Sequence, residues 1–413
     1  MEFINVIIYI SIYLGLIATS FFILSYISGT KKKKLLFTDK ELPNVSIIIP
    51  AYNEEKSIAR TIKSILSSNY PKEKFEIIVV DDGSTDRTFE IAKRSENKGV
   101  RVFSKENGGK GSALNFGIKR CNGEIVFSMD ADTFVNPSSV KNMTRYFKNE
   151  KVMSVTPAIV LHKPKGILQR IQQIEYLSGI FLRKAFSSVN AVHITPGAFS
   201  AYRKSFFDKY GGYDEKNITE DLELSLRIQF NNYVIENSLE SPVYTIAPRN
   251  FFSLLKQRRR WYVGLMKNTW DFRKIFSPKY GDLGMFVFPI AWISILLSVI
   301  FFVYLAIKSF SSIQNELLFL SNINFDFGNF LDIGFYNLER FFFLFISNPF
   351  IIFLSFFLGL LGFYIFFGIK KVKKYPAVFI SLPLFFMFFA LLFGFWWVVS
   401  IIYLILNRKI SWK

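Results

Sequence analysis

EIVFSMDADTFV, residues 124–135, decides the fold. Its apolar run Ile125-Val126-Phe127 reads as a buried strand. Two carboxylates follow, Asp130 and Asp132, with only Ala131 between them. Where the chain is still extended, residues i and i+2 point to the same side. Two like charges at the end of a buried strand are unfavourable unless a cation lies between them. A hard divalent cation such as Mg2+ or Mn2+ is the natural partner, and such an ion usually carries substrate phosphates as well. The alternative is a solvated turn after a strand, since Asp-x-Asp arises often by chance.

Upstream, the same grammar repeats. Val45-Ser46-Ile47-Ile48-Ile49 is a β-rich run that Pro50 is expected to end, followed by a loop at Tyr52-Asn53-Glu54. Ile58, Ile62, Ile65 and Leu66 come at helical spacing. Phe75 to Val80 is a second buried strand, closing in Asp81-Asp82-Gly83-Ser84, with a helix expected from about Thr85 and Asp86 in its first turn. Val100 to Phe103 is a third strand, and Gly108-Gly109-Lys110-Gly111 opens a helix that contains Asn115. Strands alternating with helices predict a parallel sheet covered on both faces. Ligands bind off the carboxyl ends of such strands. Tyr52-Asn53-Glu54, Asp81-Asp82, Lys110 and Asp130/Asp132 all fall there, which describes a phosphate- and metal-handling nucleotide site. The glycine loop alone is weak, matching neither the Walker nor the dinucleotide spacing.

Composition sets this domain in a membrane. Of 413 residues, 51% are hydrophobic, and the mean hydropathy is +0.27. Residues 3–27, 284–307, 341–369 and 376–406 are almost wholly apolar, each long enough to cross a bilayer, which takes about 20 residues. The division expected is a membrane helix in 1–30, a charged globular domain in 31–280 and about three spans in 281–413. A cleaved signal peptide fits poorly, because no basic residue precedes the first apolar run. Lys31 to Lys34, Arg258 to Arg260, Lys267, Arg273, Lys274, Lys279, Lys370, Lys371, Lys373 and Lys374 flank the spans, while 308–340 is slightly acidic. Basic flanks stay in the cytoplasm, so the globular domain is expected there. The basic tail after Asn407 disagrees, unless Pro383 breaks the last apolar segment. The net charge of +19 is explained by anionic lipid rather than nucleic acid. Cys121 is alone and His162 and His193 are the only histidines, which excludes an intramolecular disulfide and cysteine- or histidine-rich metal centres.

Beyond residue 150, Gly166 to Phe186 carries Ile167, Ile171, Ile174, Leu177, Phe181 and Leu182 as a helical stripe beside basic residues. It suits an ordinary amphipathic helix or one lying on the membrane surface. Gly197-Ala198-Phe199-Ser200 reads as a small-residue loop and Gly211-Gly212 as a turn. Thr219-Glu220-Asp221 opens a helix, with Thr219 able to cap it. A capping motif and a catalytic one both fit. In Gln257-Arg258-Arg259-Arg260-Trp261, residues Gln257, Arg260 and Trp261 share one helix face, suited to a diphosphate and a sugar, while arginines near a membrane also serve as lipid contacts.

These motifs, in this order, resemble a processive membrane glycosyltransferase of family 2 with the GT-A α/β fold, of the kind that makes poly-N-acetylglucosamine, chitin oligosaccharides or hyaluronan. The resemblance covers about residues 44–275. It implies an inverting, metal-dependent transfer of a sugar, N-acetylglucosamine by best match, from a UDP-sugar to a growing polysaccharide that the spans export. It also implies roles. Tyr52 would stack on uracil, with Glu54 and Asp82 on the nucleoside and Lys110 on the nucleotide. Asp130 and Asp132 would hold Mg2+ or Mn2+, Asp132 the more directly. Asp221, with Glu220 beside it, would act as general base, and Gln257, Arg260 and Trp261 would close over the diphosphate and acceptor. The 197–200 loop departs from the family's Cys- or Ser-containing versions. The alternative is a non-processive enzyme with a lipid acceptor. A transporter fits poorly, because the spans hold almost no charge, and so does an inactive scaffold, because the acids are present. With so few spans, a second copy, a partner subunit or lipid would complete a polymer channel.

Overall fold

The computed structural model describes residues 3–31, 36–322, 349–372 and 378–408. Lys32 to Lys34, residues 323–340, Lys373, Lys374 and the tail from Lys409, all used above to orient the chain, lie outside these.

Four apolar runs form the parallel half of one eight-stranded sheet: β1 (Val45–Ala51), β2 (Phe75–Asp81), β3 (Val100–Ser104) and β4 (Ile125–Met129). The order is β3-β2-β1-β4. Their unbroken apolar character follows from burial on both faces. Ile47, Ile49, Val79 and Phe127 face one core with α2 (Ile58–Leu66), α3 (Thr88–Lys93) and α5 (Ser139–Thr144). Ile48, Ile78, Val80 and Val126 face the other, with α4 (Lys110–Ile118), α7 (Lys204–Tyr210) and α8 (Glu220–Phe230).

Beyond β4 the sheet continues with β7 (Phe199–Arg203), β6 (Val152–Leu161), β8 (Val234–Thr245) and β5 (Phe134–Val135). β7 runs antiparallel to β4, so the sheet is mixed rather than purely parallel.

Two local expectations shift. Pro50 does not end β1, which runs to Ala51 and pairs Pro50 with Val80. Its missing N–H leaves no ladder bond unmade on the other side, because the β1–β4 ladder stops at Ile48 and Ser128. The two strands part beyond that point, at the switch in strand order where such sheets bind ligands. The helix expected from Thr85 begins at Thr88, and Asp86 stands outside it, accepting from Thr88 N at 2.9 Å.

Among the described residues three helices are long and apolar enough to cross a membrane: Ile4–Gly29, Leu283–Phe310 and Ser381–Ile405. They belong to α1 (Phe3–Lys31), α10 (Phe288–Asn322, with a π-turn before it) and α12 (Val378–Ile405). A fourth apolar helix, α11 (Pro349–Val372), has a shorter apolar stretch at Leu354–Lys370. α12 continues through Pro383. A proline six residues into an apolar helix is tolerated where neighbours cover the freed backbone, and Ser381 lies against α6 (Gly166–Ser188), donating to Gln173 at 3.3 Å.

Apart from Ile167, which is exposed, the stripe on α6 meets protein. Phe181 stacks on Tyr364 of α11 at 4.3 Å and meets Tyr26 of α1 at 5.4 Å. Ile174, Leu177 and Ile180 pack with Ile365 of α11 and Val378 of α12. Burying Phe181 fully stabilises the docking by about 1.5–3 kcal/mol. α8 is apolar on both sides. Leu224 and Ile228 join the sheet core, and Leu222 and Leu226 join α1, α6 and α11.

Candidate active site

The loop after β1 is tied to the loop after β2. Asn53 adopts a left-handed conformation, φ +56°, which asparagine tolerates better than most residues. Its Oδ1 accepts from Thr85 N at 2.8 Å, and its own N–H donates to Ser84 Oγ at 2.9 Å. Tyr52 and Glu54 sit beside it, half-buried. Glu54 N donates to Thr88 Oγ1 at 2.7 Å, and its carboxylate accepts from Ser57 Oγ at 2.6 Å.

Asp82 is buried and spends its acceptors on its own chain. Lys105 Nζ lies 2.8 Å away, and the N–H groups of Gly108 and Gly109 donate at 3.1 and 2.8 Å. It therefore fixes the glycine loop that opens α4. Gly109, the residue before the helix, has φ +88°, which a side chain would strain.

Lys110, the first residue of α4, is the hub. Its Nζ stands 2.5 Å from Asp130 Oδ1 and 3.6 Å from Glu220 Oε1. Burial alone would lower its pKa, but Asp130, Glu220 and Asp221 together raise it above the ordinary value. The ammonium thus joins the end of β4 to the start of α8. Among the described residues Asp132 has no such ion-pair partner. Burial, then Asp130 and Glu54, push its pKa up to about 7, with Lys110 opposing. Burial likewise pushes Glu220 up to about 7; Lys110 opposes this and Asp221 adds to it.

Asp221 is held by the backbone. Its Oδ2 accepts from Gly197 N at 2.9 Å and its Oδ1 from Leu222 N at 2.8 Å. The small-residue segment splits: Gly197 and Ala198 are loop, while Phe199 and Ser200 already belong to β7. Ala198 O accepts from Asp130 N at 3.1 Å, so this loop lies between the two acidic motifs. Thr219 stands at the cap position but makes no side-chain cap bond. Its Oγ1 accepts from Asn268 Nδ2 at 2.9 Å and donates to Asn217 Oδ1 at 3.3 Å.

Asn268 belongs to α9 (Phe251–Asp271), the helix that carries Gln257, Arg260 and Trp261. Arg260 is close enough to α8 for its charge to be felt at Glu220. Gln257 Oε1 is buried. Trp261 lies beneath the Arg258 guanidinium at 4.5 Å. The structure thus gathers Tyr52, Glu54, Asp82, Lys110, Asp130, Asp132, Glu220 and Asp221 at the carboxyl edge of the sheet, with α9 alongside α8. Sequence reasoning missed the Arg258 pairing with Glu175 of α6 and the Asn217–Asn268–Thr219 network. Both join residues far apart in the chain, and no local pattern announces them.

The sequence pattern of Glycosyl transferase family 2 matches residues 46–211. The chain is 32% identical over 302 residues to a poly-beta-1,6-N-acetyl-D-glucosamine synthase of Staphylococcus aureus (strain COL), covering 70% of this chain and 72% of that protein. A Staphylococcus epidermidis protein of the same name is 32% identical over 240 residues, and the match spans 58% of its length. Among solved structures, a mannosyltransferase from Pyrobaculum calidifontis in complex with GDP-Man and Mn2+ superposes with a TM-score of 0.55 at 19% identity, covering 89% of this chain and all of that one. That likeness shows the GT-A-like fold alone. The chain belongs to glycosyl transferase family 2 and is a glycosyltransferase.

Proposed function

We propose that this enzyme transfers N-acetylglucosamine from UDP-N-acetylglucosamine to a growing polysaccharide, with inversion at the anomeric carbon, and passes the product across the membrane. The observation that carries the proposal is the junction at Lys110, where the Asp130 end of β4 meets the Glu220-Asp221 start of α8. It sets a phosphate-side motif against a carboxylate held by two backbone N–H groups. The relatives' printed names support the sugar and the polymer.

In this proposal Asp221 takes the proton of the acceptor hydroxyl as its oxygen attacks the anomeric carbon, and the bond to UDP breaks on the opposite side. Lys110 and Arg260 face the charge that gathers on the leaving diphosphate. Gln257 and Trp261 orient the sugar, while Tyr52 and Glu54 line the nucleoside end and Asp82 shapes it by holding the glycine loop. Among the described residues no three His, Cys, Asp or Glu converge as a metal cage. Two carboxylates that share the site with a diphosphate still suit Mg2+ or Mn2+, which are commonly held that way. With Lys110 on Asp130, the half-buried and proton-retaining Asp132 is the carboxylate most in need of a cation. A bound ion would supply charge neutralisation on the diphosphate.

The basic residues beside the spans support a cytoplasmic site in a multi-pass chain. The globular unit is taken as 31–280, between a first span in 1–30 and the membrane region of 281–413.

Purified full-length protein in nanodiscs with Mn2+, given UDP-N-acetylglucosamine, UDP-glucose or UDP-glucuronate separately, is expected to release UDP from the first and build an oligomer ladder visible by mass spectrometry. A single sugar on lipid would replace the polymer acceptor by a lipid one. No UDP from any donor would overturn the proposal.

Gly197→Ala tests the junction itself. An added Cβ would stand 2.5 Å from Lys110 Nζ and 3.0 Å from Asp221 Oδ2. Overpacking there is expected to lower stability by about 1–3 kcal/mol. If it adds at least 1.4 kcal/mol to the barrier, UDP release falls by about tenfold or more. Unchanged release would remove Gly197 from the site.

A further inference from the structure

Arg258, the second residue of the Gln257–Trp261 segment, is 2% exposed although it carries a full charge. Its two terminal nitrogens bind Glu175 of α6 side by side, Nη1 to Oε1 at 2.6 Å and Nη2 to Oε2 at 2.8 Å. The guanidinium lies 4.5 Å from the Trp261 ring and 5.5 Å from the ring of Trp396 on α12. Trp396 and Trp397 are both 1% exposed, and Trp397 stacks flat on Tyr262 of α9 at 4.4 Å. Tyr176, next to Glu175, lies within the electrostatic reach of both Arg258 and Asp132.

A buried charge is tolerated only when paired and hydrogen-bonded, and a bidentate guanidinium–carboxylate pair fixes orientation as well as distance. Lysine would keep the charge and lose the fork. At its other end α9 is tied to the start of α8 through Asn268. Its rotation about its own axis is therefore constrained from both ends, at Asn268 and at Arg258.

We propose that Arg258 is a positioning residue. Through Glu175 and the ring of Trp261 it sets the rotation of α9, and hence the aim of Gln257, Arg260 and Trp261, and through Trp396 it ties that aim to the last membrane helix. The expected effects on turnover rest on the transfer reaction proposed above.

The test uses full-length protein in nanodiscs, with Arg258→Lys, Glu175→Gln and the exchanged pair Glu175→Arg/Arg258→Glu. Arg258→Lys is expected to keep the melting temperature and the affinity for UDP with Mn2+ close to wild type. It is expected to lower kcat at least tenfold with little change in donor KM, and to shorten the products. Wild-type kcat and product length in Arg258→Lys would overturn the proposal. So would parallel losses of kcat, UDP affinity and melting temperature, which mark a merely structural pair. Hydrogen–deuterium exchange gives a readout independent of transfer. Exchange across Gln257–Trp261 should rise in Arg258→Lys and Glu175→Gln and fall back in the exchanged pair, and unchanged exchange sinks the idea. A wild-type protein that released no UDP would remove the transfer reaction, while exchange would still decide whether Arg258 holds α9.

Discussion

Asp221→Asn is expected to lower the turnover of sugar transfer by about 10²–10⁴-fold, the range for loss of a general base, while UDP binding stays near wild type. Asparagine keeps the shape and one acceptor but cannot take the proton. It can satisfy only one of the two N–H groups, from Gly197 and Leu222, that the carboxylate now accepts. An accompanying loss of about 1–3 kcal/mol in stability is expected from the group left over. Glu220→Gln is the comparison that discriminates. Glu220 is buried, with its pKa pushed up to about 7 mainly by that burial, so near neutral pH it holds a proton much of the time, which makes it a poor base. Stopped turnover in Glu220→Gln with normal turnover in Asp221→Asn would reverse the two roles. UDP-release kinetics with parallel UDP titration calorimetry reads both.

Asp132→Ala is expected to abolish the metal-dependent part of UDP binding, so that affinity with and without Mn2+ becomes equal. The wild-type protein should show the pH dependence of a carboxylate that a proton and a metal ion compete for. Burial, then Asp130 and Glu54, raise the Asp132 pKa from an ordinary 3.8 to about 7 in the metal-free protein. Above pH 7 the carboxylate is ionised and metal binding is at its plateau. Below pH 7 the proton is bound first, and apparent Mn2+ affinity should fall about tenfold per unit until the unperturbed range is reached. A flat profile between pH 5 and 8, or undiminished Mn2+-dependent binding in Asp132→Ala, would remove the metal role.

Much of this site was legible because its chemistry sits at the ends of elements whose periodicity is strong. Ile125 to Phe127 announce a strand, so Asp130 and Asp132 had to fall at its carboxyl end. The apolar spacing of α2 and the glycines before Lys110 did the same for the other loops. What stayed hidden depends on contacts between distant parts of the chain. Thr219 looked like a helix cap, but Asn268, 49 residues on, takes its hydroxyl. Arg258 looked like one more basic residue at a membrane, yet Glu175, 83 residues before it, buries it. Pro50 looked like a terminator because its missing N–H forbids a ladder bond. Only the partner strand's early departure shows that no bond was required there. The stripe on α6 was clear as a stripe, but whether lipid or protein covered it depended on where the apolar helices α1, α11 and α12 lie.

The two apolar sides of α8 bear on how such an enzyme can be taken apart. One side belongs to the sheet core through Leu224 and Ile228, and the other to the helices at the membrane through Leu222 and Leu226. The residues proposed for catalysis stand at the head of this shared wall. The globular part is thus not a cassette that can be lent to another chain or studied as a detached module. Severing it bares one side of the helix that carries Asp221, together with the stripe on α6. A graft would have to carry its surrounding helices along, and the unit of inheritance for this activity is the site and its membrane helices as one block.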